Sequence, residues 1–126
     1  MLTESAVTTM LPVVDMSRAR EFYEGKLGFR PDGPKPDGKV LYHPGGATLA
    51  LFPRDTATKA EHTAVSFEVS DIDSTVRQLE QAGVKFEDYD MPGLKTEKHI
   101  CVLGAEKAAW FYDTEGNCLC LHQETA

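Results

Sequence analysis

The stretch Ala64 to Gly83 constrains the fold of this chain more than any other. Its first half alternates apolar residues with small or polar ones, which predicts a strand with one buried face. Ser70 or Asp71 can then cap a helix, and Gly83 ends the helical spacing. A strand followed by a capped helix is the opening of a βαβ-type unit. The alternating apolar residues are Val65, Phe67 and Val69.

The same pattern occurs earlier in the chain. Thr8 aligns with Ala64, and the capping Asp15 aligns with Asp71. The glycine that ends the earlier helix, Gly28, comes one residue later than the second copy would put it. The agreement of strand, cap and terminating glycine predicts a tandem repeat in which each copy is roughly half of the chain.

We predict a single domain over residues 1–126, built from a first module over about 6–53, a linker over 54–61 and a second module over about 62–124. The polar linker contains no apolar side chain larger than alanine. After each helix the patterns predict further strands, and the mixed-charge stretch Glu87 to Lys98 is predicted to be a mobile loop. The predicted later strands are Lys39–His43, Ala47–Phe52, Val84–Phe86, Ile100–Leu103, Ala108–Tyr112 and Cys118–Gln123.

Charge and cysteine content narrow the choice of partners and compartment. The formal net charge is −7, with 20 acidic and 13 basic residues and no basic cluster. Nucleic acid and anionic membranes would repel such a chain. The negative net charge weakly favours a neutral or cationic ligand. No apolar run approaches the roughly 20 residues of a membrane helix. Three cysteines and no leader pattern over Met1 to Ala6 favour a cytoplasmic protein.

Two runs of sequence resemble a known superfamily. The first is V-V-D-M-S-R-A-R-E-F-Y-E-G-K-L-G-F (Val13 to Phe29), and the second is F-Y-D-T-E-G-N-C-L-C-L-H-Q (Phe111 to Gln123). They resemble the vicinal oxygen chelate superfamily of glyoxalase I, bleomycin and fosfomycin resistance proteins and extradiol dioxygenases. The family's usual D-P-D-G-N turn here carries Thr114 and Glu115 instead. The resemblance implies an α+β fold of two tandem βαβββ modules whose mixed sheets curl into a cup.

Strand alternation then predicts which residues line the cup. In the second copy, side chains on the face opposite Val65 and Phe67 point inward, and the repeat assigns the matching positions of the first copy. Trp110 and Tyr112 are further inward candidates. The other predicted inward residues are Ala64, Ser66, Glu68, Thr8, Met10, Pro12, Thr48, Ala50, Phe52, Cys118, Cys120 and His122.

Metal-using members of the superfamily take ligands from the first and last strand of each module. The resemblance places these positions at Thr8, Ala50, Ala64 and Cys120. Alanine has no donor atom, threonine is a weak ligand, and one thiolate cannot hold zinc or iron. We therefore expect no metal and no cofactor. An atypical site made from His62, Cys120, His122 and Glu68 stays an alternative, although His62 aligns two residues too early on its strand.

The resemblance and the inward residues together favour a protein that binds a small organic molecule in a metal-free cup, with a resistance or sequestration role. A metal-free enzyme is an alternative, with Glu68 or His122 as general base and Tyr112 stabilising developing charge. A metal-dependent lyase or dioxygenase with displaced ligands is another. Members of the superfamily often dimerise, so we expect a homodimer. The predicted ligand-binding residues are Thr8, Met10, Phe52, Ser66, Glu68, Trp110, Tyr112, Cys120 and His122.

Overall fold

The structure is a computed structural model that describes residues 1–124. The chain has an α+β fold, with two mixed sheets and helices. The fold class predicted from the sequence is therefore confirmed. The helices are α1 (Met16–Arg20) and α2 (Ile72–Gln81). The strands are β1 (Thr8–Val13), β2 (Val40–Tyr42), β3 (Thr48–Pro53), β4 (Thr63–Glu68), β5 (Asp90–Met91), β6 (Leu94–Glu97), β7 (Ile100–Leu103), β8 (Glu106–Tyr112) and β9 (Cys118–Glu124).

The two sheets repeat one connection. A three-stranded sheet has the order β1-β3-β2, and a six-stranded sheet has the order β4-β9-β8-β7-β6-β5. In each sheet the first strand leads into a helix and pairs in parallel with the last strand, β1 with β3 and β4 with β9. No ladder joins the two sheets within residues 1–124, so β1 and β4 are both edge strands.

Both helices begin at the aspartates that the repeat predicts. The Asp15 carboxylate accepts a hydrogen bond from the Arg18 N–H at 3.0 Å, and the Asp71 carboxylate accepts one from the Ser74 N–H at 3.2 Å. Asp71, rather than Ser70, is therefore the cap of α2. Gly83 ends that helix with φ at +96°. Within the described residues no helix is long and apolar enough to cross a membrane.

The first helix changes its winding halfway along. After α1 the chain continues as a π-helical segment, Glu21–Lys26, in which the Leu27 N–H donates to the Phe22 carbonyl oxygen at 3.1 Å, five residues back. Wider turns absorb an additional residue. This segment therefore accounts for the position of Gly28, one residue later than in the second copy.

Two predicted segments differ from the structure. Val84–Phe86 is not a strand, because only Phe86 forms an isolated bridge, to Phe111. The predicted loop Glu87–Lys98 contains the antiparallel pair β5 and β6, so the expectation of an unpatterned loop was wrong there. These strands are too short for alternation to be recognised in the sequence, because β5 has two residues and β6 has four. In the first copy, the segment that corresponds to Val84–Phe86 likewise forms only an isolated bridge, between Pro31 and Tyr42.

One hydrophobic core serves both sheets. Leu11 and Leu51 come from the three-stranded sheet, and Leu119 comes from the six-stranded sheet. Residues of the helical regions join them, and the Phe22 and Phe111 rings meet at 6.2 Å between centroids. The opposite face of each sheet points away from this core. That placement leaves the predicted cup-lining positions other than Ala64 outside the shared core.

The turn Asp113–Asn117 ties the sheets together. The Asn117 side-chain amide donates to the Pro12 carbonyl oxygen at 3.1 Å, and the Tyr23 hydroxyl donates to the Asp113 carboxylate at 2.5 Å. The buried Glu115 carboxylate accepts hydrogen bonds from the backbone of Val14 and from other groups of the first copy. Glu115, the residue at which this turn departs from the family's usual sequence, is therefore part of the contact between the two sheets.

Candidate functional site

We call the outer surface of the six-stranded sheet the cup face and define it by Thr63, Ser66, Glu68, Trp110, Tyr112, Cys118, Cys120 and His122. Strand register places these side chains together. β8 and β9 pair so that Tyr112 lies opposite Cys118 and Trp110 lies opposite Cys120. The alternate residues Phe111 and Leu119 belong to the core on the other side. The inward positions predicted on the last strand thus lie on one face.

A β-bulge changes the predicted alignment of β4. The register shifts between Thr63, which pairs with Cys118, and Val65, which pairs with Leu119. Ala64 therefore packs against the core, and Thr63 takes the cup-face position. The expectation that Ala64 points inward was wrong, because alternation from Val69 back along the strand does not foresee the inserted residue.

A serine and a histidine make the shortest polar contact on this face. The Ser66 hydroxyl oxygen lies 2.5 Å from His122 Nδ1, and His122 Nε2 lies 3.8 Å from the Glu68 carboxylate. The second distance is too long for a hydrogen bond but short enough for the carboxylate to act on the imidazole through its charge. Glu68 is largely exposed, whereas His122 is only partly exposed. A hydroxyl, an imidazole and a carboxylate therefore lie close together on this face.

Aromatic side chains occupy the centre of the cup face. The Trp110 indole N–H donates to the Thr63 hydroxyl at 3.1 Å, which fixes the ring against β4. The Tyr89 ring meets Trp110 edge-on at 5.6 Å between centroids, from the segment predicted to be a loop. The Tyr112 hydroxyl donates to the Ala60 carbonyl oxygen at 3.4 Å and the residue stays 38% exposed. These rings offer a ligand an open stacking surface.

Two thiols lie beneath the rings. Cys118 and Cys120 are each 5% exposed, even though they are on the cup face. Burial raises the pKa of the Cys120 thiol, and a hydrogen bond from Ser66 only partly opposes that effect. Burial likewise raises the pKa of the Cys118 thiol. Both groups are therefore neutral thiols near pH 7, which suits an apolar ligand.

The charges that act on this face are negative. Burial is the main reason that the pKa of Tyr112 is raised. The neighbouring Cys118 raises it further, and the carboxylates of Glu87 and Glu61 add a smaller effect. Burial and then neighbouring groups, including Glu87, raise the pKa of Tyr89 in the same way. Glu106 adds to the raised pKa of Cys120. The surroundings of the cup face therefore disfavour an anionic ligand.

The predicted residues of the three-stranded sheet lie apart from this cluster. Thr8 pairs with Thr48, and Met10 pairs with Ala50, which is fully buried. The half-buried Phe52 lies at the far end of β3, opposite Pro12. These residues share one face, as alternation predicts. The strands that they pair with belong to the three-stranded sheet, and not to the six-stranded sheet that carries the cup face.

A cleft of about 490 Å³ separates the two sheets at the free edge of β4. Ser66 and Glu68 line it on one side, and Thr48 and Pro44 line it on the other. Val65 is among the apolar residues of its wall. The hydroxyl and carboxylate ends of the Ser66–His122–Glu68 arrangement therefore border a cavity large enough for a small organic molecule.

The donor set does not fit the family's metal. The four family positions hold Thr8, Ala50, Cys120 and, after the bulge, Thr63 in place of Ala64. One thiol and two hydroxyls are too few and too weak for a zinc or iron centre. Across residues 1–124, no three His, Cys, Asp or Glu side chains are grouped closely enough to hold a metal ion. The alternative set with His62 is not assembled, and His62 is exposed.

Sequence reasoning missed Thr63 and Tyr89, whereas Thr48 was among the residues predicted to point inward. A bulge has no local signature in the alternation of β4, so Thr63 was not identifiable. Tyr89 was the only aromatic residue in the segment Glu87–Lys98, and that composition was its one available signal.

Comparisons with known proteins agree with this architecture. The family model described as the Glyoxalase/Bleomycin resistance protein/Dioxygenase superfamily matches residues 5–121. No curated protein matches the sequence. The fosfomycin resistance protein FosX from Listeria monocytogenes is 14% identical with a TM-score of 0.74, covering 97% of this chain and 94% of that one. A glyoxalase family protein from Bacillus anthracis is 15% identical with a TM-score of 0.76, covering 96% and 95%.

Two further structures extend the comparison. A glyoxalase/bleomycin resistance protein/dioxygenase from Alicyclobacillus acidocaldarius is 17% identical with a TM-score of 0.70, covering 98% of this chain and 93% of that one. A mutant of the Listeria FosX, 13% identical with a TM-score of 0.71 and covering 97% and 90%, was solved with Mn(II) and 1S,2S-dihydroxypropylphosphonic acid. At these identities the structures establish the fold, and the family model establishes the relationship. The chain belongs to the glyoxalase/bleomycin resistance protein/dioxygenase superfamily.

Proposed function

We propose that this protein binds a small organic molecule on the cup face without the help of a metal ion. The observation that carries the proposal is the convergence there of Trp110 and Tyr112 with the polar side chains of Ser66, His122 and Glu68. Rings supply contact area, and the few polar groups orient the ligand. A resistance or sequestration role fits such a binder.

The charges around the cup face support a neutral or cationic ligand with an aromatic part. The carboxylates of Glu61, Glu87 and Glu106 act on the tyrosines and thiols of this face. A cation gains from carboxylates and from the faces of aromatic rings together. The phosphonic acid bound to the Listeria FosX is anionic, so the same charges argue against a ligand of that kind here.

The weak donor set supports a site without metal. A metal-dependent lyase or dioxygenase would need ligands that Thr8, Ala50 and Thr63 do not supply. The family's chelation of an oxygen pair is therefore not part of this proposal.

We also propose that two copies associate. β1 is an edge strand within the described chain, and an edge strand exposes unpaired backbone groups. Met10 on β1 is 49% exposed, and Val14 beyond its end is 45% exposed. Association should bury these groups. Sedimentation equilibrium of the wild type and Met10→Lys tests this: a dimer that Met10→Lys dissociates supports it, and a wild-type monomer at all concentrations contradicts it.

Fluorescence of the single tryptophan tests ligand binding, because Trp110 is the only tryptophan in the chain and lies on the cup face. Titration with a panel of aromatic amines and matched aromatic carboxylates should quench Trp110 with saturation for the amines. Tyr112→Ala should weaken binding by about 2- to 10-fold, the value of one aromatic pair. Val102→Ala is the control, since Val102 is 63% exposed on the other face of β7.

The metal content of the protein tests the proposal that the site works without a metal ion. Protein purified without a histidine tag is analysed by mass spectrometry and then titrated with Zn, Ni, Mn and Fe(II) while thermal stability is followed. Substoichiometric metal and no thermal shift are expected. Near-stoichiometric metal, or a shift of several degrees with one ion, would overturn the metal-free site and direct attention to His62, Cys120, His122 and Glu68.

A further inference from the structure

We propose that Ser66 is a nucleophile for acyl transfer from small carboxylic esters, with His122 as its general base. This inference goes beyond ligand binding, although it concerns the edge of the same face. It rests on three independent features: the contact between the hydroxyl and the imidazole, the cleft beside β4, and the free backbone edge of that strand.

The contact has the geometry that activates a serine. At 2.5 Å, His122 Nδ1 is close enough to take the Ser66 hydroxyl proton as the oxygen attacks. Glu68 lies 3.8 Å from the other ring nitrogen, Nε2, on the side of the imidazole away from Ser66. A hydroxyl nucleophile beside an imidazole base is the pair that serine hydrolases of unrelated folds share. At 3.8 Å, Glu68 makes no hydrogen bond to this base.

The cleft brings a substrate to the hydroxyl. Ser66 is exposed and lines the 490 Å³ cavity between the sheets. Leu49, Val65 and Phe67 supply apolar wall, which suits the acyl or alcohol portion of an ester. A carbonyl carbon seated there lies beside the Ser66 hydroxyl, which the hydrogen bond with His122 holds in place.

The edge of β4 supplies a hydrogen-bond donor for the developing oxyanion. The Val69 N–H donates to the His122 carbonyl oxygen on β9 at 2.8 Å. Backbone N–H groups alternate in direction along a strand, so the Ser66 N–H points away from β9, toward the free edge. A nucleophilic serine's own N–H is one of the donors that stabilise a tetrahedral intermediate in serine proteases.

The reaction balances with water as the only co-reactant. The Ser66 oxygen bonds to the ester carbonyl carbon while its proton moves to His122 Nδ1. The carbon–oxygen bond to the alcohol then breaks, and His122 returns the proton to the leaving alcohol. Water then attacks the acyl-serine carbon and gives a proton to His122. The bond between that carbon and the Ser66 oxygen breaks, and His122 returns the proton to the Ser66 oxygen, which releases the carboxylic acid and the free serine.

Covalent labelling tests the nucleophile directly. The wild-type chain is incubated with an alkyl fluorophosphonate, which loses fluoride as its phosphorus bonds to an activated serine oxygen, and the labelled residue is located by peptide mass spectrometry. Hydrolysis of p-nitrophenyl acetate is followed in parallel. We expect label on Ser66, none in Ser66→Ala, and a rate lower by about 100-fold or more in His122→Gln, the usual contribution of general-base catalysis.

Ser70→Ala is the matched control, because Ser70 is another exposed serine just beyond the end of β4. It should be labelled and should hydrolyse the ester as the wild type does. Unlabelled Ser66 in the folded wild type overturns the proposal, as does labelling that His122→Gln does not slow. Trp110 quenching by the aromatic amines is measured on the same samples: ligand binding that persists when labelling fails rejects the nucleophile and leaves the binding function standing.

Discussion

Glu115 shows how one buried carboxylate joins the two copies of the repeat. One of its oxygens accepts hydrogen bonds from the Val14 and Asp15 N–H groups at 2.8 and 3.0 Å, and the other accepts one from the Arg18 guanidinium at 2.8 Å. Burial acts to raise the pKa of Glu115. The hydrogen bonds from Arg18, Asp15, Thr114 and Val14 outweigh it and lower the pKa to about 2. The ionised carboxylate is therefore part of the folded state.

This lowered pKa predicts acid sensitivity. The group ionises near pH 4.5 when it is free, so its stabilising effect is complete above that pH and is lost as the pH falls from about 4.5 to about 2. The difference corresponds to about 3 kcal/mol. In urea unfolding from pH 7 to pH 2, Glu115→Gln should be destabilised at pH 7 and lose much of the pH dependence in this window.

Glu21→Gln is the control for Glu115→Gln, because Glu21 is exposed at the surface of the first helical region. It should unfold as the wild type does at every pH. If Glu115→Gln keeps the full pH dependence, the acid sensitivity comes from other carboxylates.

At the scale of one turn, Gly116 has no room for a side chain. Its φ is +87°, and a Cβ built there would overlap the backbone carbonyl oxygen of Thr58. Left-handed backbone costs a residue with a side chain about 1–2 kcal/mol, and displacing a backbone atom costs about 1–3 kcal/mol more. Gly116→Ala should therefore lower the free energy of unfolding by at least about 2 kcal/mol.

Gly104→Ala separates the two costs of Gly116→Ala. Gly104 also has a positive φ, +61°, but a Cβ there meets open space. Chemical denaturation should give a loss of about 1–2 kcal/mol for this variant, the cost of the left-handed backbone alone. Equal losses in the two variants would mean that the contact with Thr58 relaxes without cost.

The π-helical segment holds a glycine that its conformation does not need. Gly25 has no positive φ, and a Cβ at this position meets open space. Gly25→Ala should stabilise the protein by about 0.5–1 kcal/mol, since alanine loses less conformational freedom on folding. Gly28→Ala, with φ at +78° and equally open surroundings, should do the opposite. Thermal unfolding of both variants would show shifts of opposite sign; a destabilised Gly25→Ala would mean that the wide turns require glycine.

Elements with a strong local signal could be predicted from the sequence. Asp15 and Asp71 are capping residues at the start of helical spacing, and the alternation of β9 placed Cys120 and His122 on the cup face. The bulge at Thr63 and the hairpin of β5 and β6 could not be predicted, because register and edge pairing depend on neighbouring strands. The contact between Ser66 and His122 also required register, since it joins two strands that meet only in the folded sheet.

Across the whole molecule, the two copies depend on one core. The buried residues form one cluster drawn from both sheets and the helical regions between them. The Tyr23 hydroxyl reaches Asp113, and the Phe29 ring lies 5.8 Å from Phe67. The division at residues 54–61 stays a prediction about the sequence repeat. We expect the two copies to unfold together despite it.

A core substitution far from the tryptophan tests this coupling. Leu51 is fully buried in the three-stranded sheet, whereas Trp110 reports on the six-stranded sheet. Leu51→Ala should cost about 2–5 kcal/mol, and the urea midpoint should fall by the same amount in Trp110 fluorescence and in far-ultraviolet circular dichroism. Leu2→Ala, at an 81% exposed residue, should leave both midpoints unchanged. A Trp110 transition that Leu51→Ala does not move would show that the six-stranded sheet folds independently, because a shared core transmits the loss to every probe.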